Sequence, residues 1–148
     1  MKATSTLIDS PRFPVERSGG NKANPPPGKH VAQALLDDLL ATGRAVASRK
    51  KLENKDYNHA SWYFDFDFEN DKFQIFLEGN VDVRKATLWR VCMTRVDGIM
   101  GALHGNREAL FEVPDDCLKL LQESICRVFG VSEVRWLDEE EAAAEFRR

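Results

Sequence analysis

The stretch WYFDFDFENDKFQIFL, residues 62–77, constrains the fold more than any other part of the chain. Trp62, Phe64, Phe66 and Phe68 occupy one parity, and Tyr63, Asp65, Asp67 and Glu69 the other. Successive side chains leave opposite faces of a strand, so a repeat of two marks a strand with one face in a core and the other outside. With Asn70 and Asp71 as the central residues of a tight turn, Glu69 pairs with Lys72, Phe68 with Phe73, Phe66 with Ile75 and Phe64 with Leu77. Apolar residues then meet apolar partners throughout, as a two-residue hairpin requires. The carboxylates do not spell a calcium loop. Such a loop needs a Gly at its middle and a Glu at its end, and counting from Asp65 those positions hold Asn70 and Phe76. Alternate residues on a strand are also roughly 7 Å apart, too spread to converge on one ion. No metal and no cofactor is expected.

The neighbouring segments read as a sheet with helices. In TLWRVCMTRV, residues 87–96, Trp89, Val91 and Met93 alternate with Arg90, Cys92 and Thr94, which predicts a third strand of an antiparallel meander. From Lys29 to about Leu52 the apolar residues Val31, Ala32, Leu35, Leu36, Leu39, Leu40, Val46 and Ala47 fall in one angular sector, which predicts a helix. Gly43 lies inside that sector, and the basic run at 49–51 suits the helix's negative end. ALFEV, residues 109–113, adds a short strand ahead of Pro114, which stands where a first helical position belongs. Asp115 and Asp116 then complement the dipole, Cys117, Leu118, Leu120, Leu121, Ile125, Val128 and Phe129 line one side, and Gly130 ends the helix. VSEVRWLD reads as a last strand, and Asp138 caps a terminal helix that opens on three glutamates. Residues 1–28, rich in Ser, Gly, Asn and Pro, lack any period and are expected to be a disordered tail before a single domain over 29–148.

The expected class is therefore α+β: a three- to five-stranded, mainly antiparallel sheet with two amphipathic helices on one face, in the order α-β-β-β-(β)-α-β-α. A chain of 148 residues suits one core of this kind.

Charge and cysteine content bound the function. Residues 1–30 hold five Lys/Arg against two Asp/Glu, so the remainder carries −6 of a total of −3, and the isoelectric point is about 5.7. An acidic folded part argues against nucleic acid, whose binders carry a clustered basic face. The apolar runs fall far short of the roughly 20 residues that cross a bilayer. Cys92, Cys117 and Cys126 are odd in number and without metal-site spacing, which predicts reduced thiols in a cytoplasmic protein.

Candidate sites follow from the hairpin. If its four rings face the helices, then Tyr63, Asp65, Asp67, Phe76, Glu78 and Arg90 share the outward face with Cys92. Acidic groups around aromatic anchors are the composition of a protein-binding patch, with a basic partner as the natural complement. In layout, such a small acidic α+β domain resembles bacterial secretion chaperones and the immunity proteins that neutralise toxins. That resemblance implies stoichiometric binding of another protein. The edges of a small sheet also allow two copies to pair. The competing reading is an enzyme whose Gly-rich loop, 98–107, covers His104, Asp97 and Arg107. The loop matches no phosphate-binding pattern, and no nucleophile or second base stands in a recognisable spacing to His104, so the sequence points away from catalysis.

Overall fold

The computed structural model describes residues 3–13, 28–48, 52–54, 61–79, 88–96, 103, 105 and 112–146. Six strands and three helices lie in these segments. The strands are β1 (Ser5–Asp9), β2 (Val46–Ala47), β3 (Glu53–Asn54), β4 (Ser61–Phe68), β5 (Asp71–Gly79) and β6 (Leu88–Arg95). The helices are α1 (Lys29–Ala41), α2 (Asp115–Phe129) and α3 (Glu139–Phe146). Every strand pairing is antiparallel, in the order β1-β6-β5-β4-β2, with β3 also paired to β4. The class is α+β, as the alternation implied.

The hairpin forms with a register two residues away from the expected one. Phe66 pairs with Phe73, Phe64 with Ile75, Trp62 with Leu77 and Phe68 with Asp71. The turn is centred on Glu69 and Asn70, with φ of 49° and 70°. A twist-matched two-residue turn needs positive φ at both central positions. Asp71 stays in the strand, where its carboxylate meets the Arg95 guanidinium at 3.2 Å. A slip of two preserves parity, so every side chain keeps its expected face.

The faces are sharply different. Phe64, Phe66, Phe68, Phe73, Ile75, Leu77, Trp89, Val91 and Met93 are buried in one cluster with Val31, Leu35 and Leu39 of α1 and Leu120, Leu121, Ile125 and Phe129 of α2. The two amphipathic helices thus cover the aromatic face, and α1 and α2 also clasp each other. Asp38 accepts hydrogen bonds from Arg127 at 2.8 Å and from Ser124 at 2.7 Å. Burial works to raise the Asp38 pKa, but these two donors more than offset it and hold the carboxyl below its ordinary value.

Helix α1 ends earlier than its apolar sector suggests. Thr42 follows it in helical geometry, and Gly43 turns left-handed at φ 76°. That conformation stops a helix and favours glycine. The chain then enters β2, where Val46 and Ala47 are exposed rather than buried. The start of α1 is fixed by Gly28, at φ 104°, where a Cβ would sit 3.2 Å from both Trp62 and Trp89. Positive φ and the two indoles together require glycine there.

The expected N-terminal tail is corrected over residues 3–13. Strand β1 pairs along its whole length with β6, from Ser5 opposite Cys92 to Asp9 opposite Leu88. Thr4, Thr6, Ile8 and Ser10 are buried. Beyond the strand, Ser10 donates to the Phe129 carbonyl at 2.6 Å, and Arg12 donates to the Arg127 and Val128 carbonyls at 3.1 Å. Carbonyls at a helix end lack intrahelical donors, so Arg12 completes α2. Trp89 Nε1 donates to the Phe13 carbonyl at 2.6 Å, and the Phe13 and Phe129 rings meet edge to face at 5.5 Å.

Two further expectations change. Residues 131–137 contribute a single bridge, Ser5 to Leu137, instead of a strand. The terminal helix forms, with Asp138 accepting from the Glu141 N–H at 2.8 Å. It packs on β1 and β6. Its Ala142 and Phe146 are buried together with Cys92 and Leu137, outside the main core cluster. Residues 109–111 and the basic run at 49–51 lie outside the described residues.

Candidate functional site

Strand pairing places the outward residues on one lattice. Tyr63 stands opposite Phe76, which stands opposite Cys92 and then Ser5. The next row runs Ser61, Glu78, Arg90 and Leu7. On the other side of the aromatic row come Asp65, Gln74 and Thr94, and then Val46, Asp67 and Lys72. Directly opposed side chains lie within about 4.5–5.5 Å at Cβ, so the rows are physical neighbours. Tyr63, Asp65, Asp67, Phe76, Glu78 and Arg90 therefore share one face, as their parity implied.

The face is less open than a solvated sheet surface. Tyr63, Asp67, Phe76, Glu78 and Arg90 are half-buried, and Asp65 is only 6% exposed. The expectation that Asp65 projects freely outward is thus corrected: its carboxylate accepts from Gln74 at 3.2 Å and is shielded. Cys92 is buried as well, and burial pushes its thiol pKa up. Cys117, at the helix side of the sheet, has its thiol pushed up to about 12 by burial and by the nearby Glu69 carboxylate. A thiol held protonated is a poor nucleophile, so these two cysteines serve packing.

Glu53 belongs to the face and is absent from the sequence reading. It pairs with Tyr63 across β3 and β4, and the Tyr63 hydroxyl donates to Glu53 Oε2 at 2.5 Å. The bond to an ionised acceptor, with some burial, raises the Tyr63 pKa, so the phenol stays a donor and its ring orientation is fixed. The predicted helix ends at about Leu52 and the predicted hairpin opens at Trp62, so Glu53 falls in a stretch to which periodicity assigns no element. A Glu-x-Lys stretch by itself signals neither strand nor site.

Electrostatically the lattice is acidic. Glu53, Asp65, Asp67 and Glu78 face Lys72 and Arg90, and Glu78 pairs with Arg90 only loosely, at 4.0 Å. Among the described residues no group of three or more His, Cys, Asp or Glu is arranged to hold a metal ion. Of the Gly-rich loop, Leu103 and Gly105 are described, with Leu103 exposed; His104, Asp97 and Arg107 lie outside the described residues. No helix among the described residues is long and apolar enough to cross a membrane. In comparisons with known proteins, no family model, no curated protein and no solved structure matches the chain.

Proposed function

We propose that the chain acts by stoichiometric binding of another protein through the part of the sheet's second face, over β4 and β5, that lies beside α3. The observation that carries this reading is the Tyr63–Phe76 pair within an acidic lattice on β4 and β5, strands paired on both sides. Aromatic side chains lose little conformational freedom on binding and supply much of the energy at interface centres. Carboxylates around them favour a basic partner and act chiefly on the rate of encounter. A chaperone-like or toxin-neutralising role in the cytoplasm fits this mode of action.

Phe76→Ala and Tyr63→Ala test the reading in binding measurements with a partner captured by the wild-type protein. Each should weaken binding by at least about 2 kcal/mol while the domain stays folded. Replacing Asp67 and Glu78 by their amides should slow association and flatten its salt dependence. Unchanged binding in all of these variants, with loss of binding on changes within 98–107, would transfer the function to the Gly-rich loop.

A further inference from the structure

Strand β1 is built differently from the strands it joins. The core-facing side chains of the strand and of the residue on either side of it are Thr4, Thr6, Ile8 and Ser10, three hydroxyls and one alkyl group, all buried. Thr6 lies opposite Val91, and its hydroxyl is buried without a hydrogen-bond partner among the described residues. A hydroxyl in that position loses its water without compensation, which weakens docking of the strand that carries it. By contrast β4, β5 and β6 present aromatic and branched residues to the same core.

We propose that residues 3–13 form a strap that opens as a unit from the β6 edge while the rest of the sheet stays folded. Two contacts latch it: the end of α2, where Ser10 and Arg12 bind the carbonyls of residues 127–129, and the Ser5–Leu137 bridge ahead of α3. Closed, the strap guards the β6 edge, because an uncovered row of N–H and C=O groups pairs readily with another extended chain. Open, it exposes that row and the Trp89 indole.

Backbone geometry supplies an internal control. The Met93 N–H donates to the Thr4 carbonyl, while Ser5 exchanges its bonds with Leu137 on the far side. In an antiparallel ladder these directions alternate, so the amides of Trp89, Val91 and Met93 point to β1, and those of Arg90, Cys92 and Thr94 point to β5. Amide hydrogen exchange on the full chain, read residue by residue, separates the two sets. The first set should be protected at least about tenfold less than the second, as local opening below global unfolding requires. Thr6→Val, which removes the stranded hydroxyl at nearly constant shape, should raise the protection of the first set severalfold and leave the second unchanged. Equal protection of the two sets in the wild type would overturn the strap, and so would unchanged or lowered protection of the first set in Thr6→Val.

Discussion

Strands β5 and β1 flank β6 on its two sides, yet only one of them is visible in the sequence. The β4–β5 hairpin announces itself because its information is local: alternating rings, a two-residue turn and complementary partners lie within 18 residues, Ser61 to Glu78. In β1 the information is distant. Its partner residues in β6 lie 79 to 87 positions away, and its latch on α2 more than 110. Its core-facing hydroxyls also mask the alternation, since Leu7 and Ile8 are adjacent and so fall on opposite faces. Local patterning thus marks the central strands of this sheet well and the strand at its edge poorly.

The largest expected effect lies in the hairpin. Phe66 is fully buried and packs its ring 5.9 Å from that of Phe73. Phe66→Ala should cost about 3–5 kcal/mol in chemical denaturation, a large part of a typical domain's stability. A cost below about 1 kcal/mol would mean that the aromatic face is not the core and would remove the contrast with β1.

The same contrast explains what else was legible. The α2 boundaries follow from Pro114 and Gly130, the helix face from a period of 3.6, and the six lattice residues from parity. The end of α1 did not follow, because Gly43 lies inside the apolar sector and its left-handed backbone has no signature other than being glycine. The register slipped because both Glu69-Asn70 and Asn70-Asp71 contain a residue at home in positive φ, and packing decides between them. Glu53 and the shielding of Asp65 depend on segments far away in sequence, which periodicity does not reach.

Removal of residues 1–13 is the next largest perturbation. It deletes the β1–β6 ladder, the burial of Ile8 and the contacts of Ser10, Arg12 and Phe13 with α2 and Trp89, offset by the regained entropy of a removed strand, so a net loss of about 2–3 kcal/mol is expected, with a cooperative transition retained. On thermal melting that is a drop of several degrees. No drop would return these residues to the status of a tail, whereas complete loss of folding would show that β1 is as integral as β5.

The smallest effect belongs to the clasp between α1 and α2. Because the Asp38 pKa is lowered in the folded protein, its contribution is fully present above the ordinary value of 3.8 and is lost as pH falls through the lower folded value. Asp38→Asn should cost about 1 kcal/mol at neutral pH, as a partly exposed pair does. Its stability difference from the wild type should shrink in acid. A difference that stays constant from pH 7 to pH 2 would show that the clasp is not electrostatic.

The placement of β1 beside β6 is the claim on which the comparison turns, and Cys92 allows it to be measured directly. Ser5 stands opposite Cys92 with its own backbone bonds directed to Leu137, a pairing in which the two Cβ atoms approach closely enough for a disulfide. In Ser5→Cys, refolding from denaturant in a thiol–disulfide redox buffer, which lets the thiols react before Cys92 is buried, should form a bond within one chain, joining residues 5 and 92, detected by peptide mass mapping and by a raised melting temperature. Absence of that bond under oxidation, with both thiols recovered free, would contradict the strand.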